Sequence, residues 1–510
     1  MKRFNYTGTC IPEKHYMVDT SKKIDEIIKL IEYGDYFTIN RPRQYGKTTC
    51  IKLLSEKLRC QYNIIKVSFQ GKEAECFSSV EKISTMFLES INIYFKNTNQ
   101  IKDIIEYSEI NSFIKLSEKI SELINRIDKK VVLFIDEVDE STNYEIFSKF
   151  LGMLRDKYLK RSEGEDTTFH SVVLAGVHDI KNIKMKIRGD GEISYNSPWN
   201  IAVNFNVDMT FSAKEISTML IDYEKDTNTG MDIKLLSEKL YEYTSGYPFL
   251  VSRLCNIIDE ELGKCFTEQG LEDAMKILLN ENNTLFDDLI KNIERYADLY
   301  KLIERIVLDG EEINFNIQAH QIGVMYGIFK ELNRKLVIHN TIYEILLYNY
   351  MIAKREIAKG SALSYKYKEK FVDDNGKLDM ELILTKFQDL MKAEYREIDE
   401  KFVEREGRLL FLAFLKPVIN GVGFYFVESE TRHSNRMDIV ITYNREKFVI
   451  ELKIWRGGKY EQEGREQLCE YLEAQNLDKG YMLFFNFNKG KEYIKEILKV
   501  NGKEIFEVFV

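Results

Sequence analysis

The sequence predicts an α/β protein with two sheets, a parallel one near the N-terminal end and a second, smaller unit near the C-terminal end. Three observations predict it. The apolar run Tyr36-Phe-Thr-Ile-Asn40 meets a charged turn, Arg41-Pro-Arg-Gln-Tyr-Gly-Lys-Thr48, and then the helical pattern Thr49-Cys-Ile-Lys-Leu-Leu. The run Val131-Val-Leu-Phe-Ile135 ends in two adjacent carboxylates, Asp136 and Glu137. Far along the chain, two alternating runs at 437–442 and 447–454 carry Asp438 and the triplet Glu451-Leu-Lys453.

Strand, turn and helix in that first order suit an anion, because the backbone N–H groups of such a turn converge on it. Gly46 lets the backbone approach phosphates, Lys47 places a charge on the terminal ones, and the Thr48 hydroxyl is a magnesium ligand. Arg41 stands where the motif has its first glycine. Pro42 and Arg43 stiffen and charge the turn, so the loop geometry is expected to differ from the motif. Arg43 and Thr49 join the expected nucleotide-contacting set, and ATP with Mg²⁺ are the expected cofactors. In the second run, Asp136 would hold magnesium through water, and Glu137 would orient or deprotonate the attacking water. The competing reading is a strand followed by a solvated acidic turn; both halves in the right order favour the nucleotide site.

The third strand, Ser171-Val-Val-Leu-Ala-Gly-Val177, leads to His178 and Asp179. His178 is a candidate sensor of the terminal phosphate, or simply a cap on the strand end. In Thr244-Ser-Gly-Tyr-Pro-Phe-Leu-Val251, Gly246 and Pro248 either pack on the adenosine or only shape a helix start. Amphipathic patterns over 211–285 suit a helical lid over the nucleotide. Residues 286–353 alternate helices and short strands like a winged helix, a fold that reads a groove or packs on the nucleotide domain; the acidic sequence favours packing. The polar tract from 354 opens a linker and helix reaching 395.

On the second C-terminal strand, Glu451 and Lys453 share one face and Ile450, Leu452 and Ile454 the other. A carboxylate and an amine beside Asp438 suit metal-assisted hydrolysis, with Asp438 and Glu451 binding Mg²⁺ and Lys453 orienting water. A cross-strand ion pair would show the same letters. The surroundings add weight: an apolar helix over 404–415 with an acidic start precedes the hairpin, Gln467 and Tyr471 stand one helical turn apart after it, and the apolar strand 480–485 follows.

With these residues in view, the chain resembles bacterial AAA-like ATPases fused to a C-terminal PD-(D/E)XK nuclease-like domain. The likeness is carried by residues 8–16, 40–48, 196–201 and 245–255, by Glu406-Gly-Arg, Asp438 and Glu451-Leu-Lys-Ile-Trp455. It implies a P-loop ATPase core over 1–210 and a restriction-endonuclease-like domain over 396–510. It further implies Asp438, Glu451 and Lys453 as the nuclease core, Glu406 or else Glu404 as the first-helix acid, and Gln467 and Tyr471 in support. The expected function is an ATP-binding and hydrolysing switch that controls a metal-dependent nuclease, in defence or mobile-element control. A nucleotide-regulated scaffold that binds without cutting is the competing reading.

Bulk properties set the frame. The 510 residues are 44% hydrophobic, enough for about three domains. No stretch of about 18 uncharged apolar residues occurs, so a cytoplasmic protein without a membrane segment is expected. Seven scattered cysteines suggest neither a zinc site nor a disulfide framework. The net charge of −9 argues against a general nucleic-acid coat. Local clusters at 432–436 and 453–459, the latter holding Trp455, make nucleic acid the expected partner, with DNA or RNA undecided and self-association open.

Overall fold

Strands rich in Val, Ile and Phe on both faces need cover on both faces, and the computed structural model arranges its first sheet that way. It describes residues 2–98, 110–141, 145–177, 185–186, 193–194, 199–307, 318–332, 335–359, 371–373, 376–394, 404–419, 423–430, 436–455, 457–486, 488 and 491–510. A parallel pair, β1 (Arg3–Phe4) and β2 (His15–Tyr16), precedes α1 (Ser21–Glu32), β3 (Tyr36–Asn40), α2 (Lys47–Leu58), β4 (Asn63–Ser68), α3 (Val80–Thr98), α4 (Phe113–Asn125), β5 (Val131–Asp136), α5 (Glu145–Glu163) and β6 (Ser171–Gly176). The sheet order is β3-β6-β5-β4, all parallel, and a parallel bridge from Phe37 to Val203 flanks β3. Along β5, Val131, Leu133 and Ile135 pack toward α3, α4 and α5, while Val132 and Phe134 join the core over α1 and α2. A two-stranded pair, β7 (Met185–Lys186) and β8 (Ile193–Ser194), follows.

The region expected to form a lid holds α6 (Ala213–Thr227), α7 (Ile233–Thr244), α8 (Pro248–Glu260) and α9 (Glu268–Leu279). Their starts are capped where the sequence supplies a cap: Ser212 and Glu215 form a reciprocal box on α6, and Asp232 and Thr267 cap α7 and α9. Gly246 is required between α7 and α8. Its φ is +71°, and a Cβ there would stand 1.8 Å from the carbonyl oxygen of Phe211, whose N–H donates back to the Gly246 carbonyl at 2.8 Å.

Next come α10 (Thr284–Arg295), α11 (Ala297–Val307), α12 (Gln318–Met325), the antiparallel hairpin of β9 (Phe329–Leu332) and β10 (Lys335–Ile338), and α13 (Thr341–Lys359). Lys330 on the hairpin donates to Ser245 Oγ at 2.7 Å, so this strand docks on the lid. The expected linker starts inside α13, which stays helical through Lys359. Lys354-Arg-Glu-Ile-Ala-Lys is polar but made mostly of good helix formers.

The second sheet follows α14 (Met380–Glu394) and α15 (Glu404–Ile419). Its elements are β11 (Gly423–Glu430), β12 (Arg436–Tyr443), β13 (Glu446–Ile454), α16 (Gly458–Ala474), β14 (Lys479–Phe485), β15 (Lys495–Val500) and β16 (Lys503–Phe509), in the order β11-β12-β13-β14-β16-β15. Strands β11 to β13 pair antiparallel, β13, β14 and β16 parallel, and β15 antiparallel at the edge. The turn between β12 and β13 places Asn444 (φ 45°) and Arg445 (φ 71°) in the left-handed region, as a two-residue hairpin turn demands. One buried apolar cluster runs from Phe4 through the lid and α13 to the α15 face of this sheet, while α16 covers the other face.

Candidate functional site

Because β3, β6 and β5 are parallel neighbours, the segments after Asn40, Gly176 and Ile135 emerge together at their carboxyl edge, where open α/β sheets bind ligands. Loop 41–48 turns through Gln44 (φ 56°) and Gly46 (φ 82°) into the N-terminus of α2. No atom crowds the place of a Cβ at Gly46, so its backbone twist is what calls for glycine. Lys47 is buried, and its Nζ donates to the carbonyls of Arg41 and Pro42, both at 2.9 Å. The Thr48 hydroxyl donates to Asp136 Oδ2 at 3.1 Å, which joins two distant segments. Two hard oxygens so placed fit a hard divalent cation.

The other oxygen of Asp136 accepts the N–H of Glu137 at 2.9 Å, and Glu137 holds a left-handed φ of 57°, a costly conformation for a non-glycine residue. Burial pushes the Glu137 carboxyl up, and the neighbouring Asp136 adds to the push. Burial pushes the Lys47 ammonium down, opposed by Asp139, Glu137 and Asp136.

Several of the expected residues also make contacts within the fold. Arg41, at the place of the motif's first glycine, donates from its guanidinium to the Val207 carbonyl at 2.7 Å and the Phe205 carbonyl at 3.4 Å, over the Phe205 ring. It clamps the segment beside β3, because a long donor on a strand end finds free carbonyls there. Arg43 is exposed and pairs with Asp288 at 2.9 Å. The Thr49 hydroxyl accepts the N–H of Cys10 at 3.1 Å, tying the N-terminal segment to α2. Pro248 is the buried first residue of α8. His178 and Asp179 lie outside the described residues.

In the second sheet, Glu451 is 1% exposed and its Oε1 lies 2.8 Å from Lys453 Nζ. Continuing the register of Ile439 with Ile450 by one rung puts the backbone of Asp438 across from Glu451. The side chains of Asp438, Glu404 and Glu406 lie outside the described part. The first turn of α15 sits at the carboxyl end of β14, since Gly407 packs on Phe485, where a Cβ would come within 2.5 Å of the ring. Gly464 of α16 approaches Lys453, Tyr471 is buried, and Gln467 is exposed.

Residues 13–349 match the model of the AAA-like domain, and residues 421–497 that of the PD-(D/E)XK nuclease superfamily. The chain belongs to the AAA-like domain family. Its fold is shared with a Walker-type ATPase of Pyrococcus abyssi, at 12% identity and a TM-score of 0.50, over 68% of this chain and 99% of that one. Similar solved structures include the ORC1 protein of Aeropyrum pernix in complex with DNA, at 9% identity and a TM-score of 0.32, over 68% of this chain and 95% of that one. The ORC2 protein of the same organism, in ADPNP and ADP complexes, gives 13% and 0.35, over 69% and 98%. No match is found among the curated proteins. Among the described residues, no helix is long and apolar enough to cross a membrane.

This AAA-like chain also uses residues that motif reading passed over. Asp139 Oδ2 accepts the Val177 N–H at 2.5 Å, and Gly176 leaves room for it, since a Cβ there would stand 2.9 Å from Asp139 Oδ1. The end of β6 is thereby fastened to the acidic turn. Its sequence signal was the spacing Asp136-Glu-Val-Asp139. Tyr247 donates to the Arg43 carbonyl at 2.6 Å, and the Tyr45 hydroxyl lies 2.9 Å from His339 Nε2; neither contact has a local sequence signal.

Proposed function

We propose that this chain is a switch protein in which ATP binding and hydrolysis at loop 41–48 controls a metal-dependent nuclease domain acting on nucleic-acid phosphodiesters. What carries the reading is that each half of the chain holds a carboxylate against the group its chemistry needs: Asp136 against Thr48, and the buried Glu451 against Lys453.

In the first centre, the Lys47 ammonium would leave the Arg41 and Pro42 carbonyls and donate to the terminal phosphates, and Glu137, its carboxyl raised by burial, would orient and deprotonate water. Thr48 and Asp136 would hold Mg²⁺. In the second, Asp438 and Glu451 would hold the metal, Lys453 would orient water, and Glu406, or Glu404 in its place, would complete the acidic set. Bound metal supplies charge neutralisation on the phosphate oxygens at both centres. Gln467, exposed on α16, would act only in contact with the nucleic acid.

The test is incubation of the full chain with labelled single- and double-stranded DNA and RNA in Mg²⁺ or Mn²⁺, with and without ATP. Product made by wild type and absent with Glu451→Ala supports the reading. Binding without product on every substrate would replace it with a nucleotide-regulated scaffold.

A further inference from the structure

How the two centres communicate can be inferred in more detail, on the reading that nucleotide controls the nuclease domain. Tyr45, inside loop 41–48, is buried, and its hydroxyl meets His339 Nε2 at 2.9 Å. The neighbours of His339 define its hydrogen-bonding state. Asn340 Oδ1 accepts the N–H of Tyr343 at 2.9 Å, which turns Asn340 Nδ2 toward His339 Nδ1 at 3.3 Å. Nδ2 only donates, so Nδ1 accepts, the ring proton sits on Nε2, and Nε2–H donates to the Tyr45 oxygen. Burial pushes His339 down to about 3, so the ring stays neutral near pH 7.

Tyr247 and Tyr343 close this cluster, with ring centroids 4.7 Å from Tyr45 to Tyr247 and 5.7 Å from Tyr247 to Tyr343. Gly327 presses on Pro42 of the same loop, where a Cβ would stand 2.6 Å from Pro42 Cγ.

Helix α13 begins two residues after His339 and leads to the other domain. From Thr341 to Asn349 it rises about 12 Å at roughly 1.5 Å per residue. Asn349 Oδ1 accepts the hydroxyl of Tyr425 at 3.0 Å. Tyr425 lies on β11, which pairs with the strand carrying Asp438, and α13 also packs on α15, which carries Glu404 and Glu406.

We propose that α13 is a rigid strut reporting the conformation of loop 41–48 to β11 and α15, with Tyr45–His339 and Asn349–Tyr425 as its two pins. Loop 41–48 supplies the two states. With Lys47 on the Arg41 and Pro42 carbonyls the loop is clasped; a triphosphate that takes the Lys47 charge unclasps it, and the strut moves with the loop. The nucleotide shifts the nuclease sheet only by its differential affinity for the two states.

The experiment is hydrogen exchange on the full chain in the Glu137→Gln background, with and without ATP and Mg²⁺, which needs no cleavage and so stands apart from nuclease competence. ATP should change exchange in peptides over 41–48 and, by about 5-fold or more, in peptides over 423–443. Adding Tyr425→Phe, which keeps the ring and removes only the hydroxyl, should leave the loop response intact and abolish the response over 423–443. Asn349→Leu removes the same bond from the other side and should agree. A response over 423–443 that survives both variants, or one absent while the loop responds, overturns the strut. ATP that leaves the loop itself unchanged overturns the strut and the nucleotide reading together.

Discussion

The two proposed centres of this chain are built in different ways. The nucleotide centre is assembled from afar: loop 41–48 meets Asp136 on β5, Tyr247 of the lid, Asp288 of α10 and His339 before α13. The residues proposed for the nuclease centre lie mostly on one hairpin, with Glu451 and Lys453 two residues apart on β13 and Asp438 on the adjoining β12, while Glu404 and Glu406 belong to α15. A centre gathered from many modules senses their arrangement directly, while residues on a hairpin take it up only through the elements packed on it, here β11 and α15.

The largest effect expected from this contrast is at Lys453. Lys453→Ala should lower cleavage by about 10²- to 10⁴-fold, the range for a positioned proton-transfer group, and leave ATP turnover as it was. Cleavage and phosphate release measured on the same preparation check this. A parallel fall in ATP turnover would break the comparison, because the second centre would then not be self-contained.

Glu137→Gln should slow ATP hydrolysis by a comparable factor, about 10²- to 10⁴-fold, and keep ATP binding. The pH profile sharpens the point. Glu137 must be ionised to accept a proton, and burial raises its carboxyl above the ordinary range. Wild-type turnover should therefore fall with decreasing pH earlier than an ordinary carboxylate would dictate. That acid limb should be missing from the residual turnover of Glu137→Gln, and a limb that persists would assign it to another group.

Lys47→Ala should weaken ATP binding by about 10- to 150-fold, as loss of a charge-assisted hydrogen bond does; isothermal titration measures it. Arg41 cannot stand in, since its guanidinium is committed to the Val207 carbonyl. An effect on stability rather than activity is expected from Gly246→Ala, which puts a Cβ against the Phe211 carbonyl and should cost more than the roughly 1–3 kcal/mol of the positive φ alone. Denaturant unfolding followed domain by domain should show that loss in the lid and nucleotide region, with the nuclease-like sheet unchanged.

What could be read in advance follows the same division. Apolar runs ending in Asp136 and in Glu451-Leu-Lys453 are local patterns, and each became the strand it suggested. Contacts between distant segments leave no local pattern: Tyr45 with His339 joins residues 294 apart in the chain. That Arg41 reaches the Val207 carbonyl was not legible either, because sequence shows a side chain's type and not its direction. Strands β15 and β16 were not anticipated. Lys495-Glu-Ile-Leu-Lys-Val500 is mostly exposed at the sheet edge, where lysines interrupt the apolar alternation that marks a buried strand. The helical run through Lys359 hid in a polar tract for the converse reason, that polarity marks exposure and not the lack of a helix.

The parallel pairing of Tyr36–Asn40 with residues 172–176 also bears on how the molecule is made. Strand β3 leaves the ribosome long before its partner β6 exists, and at about 5–20 residues per second the wait over about 130 residues is roughly 7 to 26 s. Throughout that time Phe37 and Ile39 lack the neighbour that buries them in the finished sheet. Cationic Arg41 and Arg43 directly follow this apolar strand, where flanking charge discourages wrong pairing. Arg41 thus stands where a flanking charge suits the unpaired strand, and in the folded chain it clamps residues 205–207 beside β3.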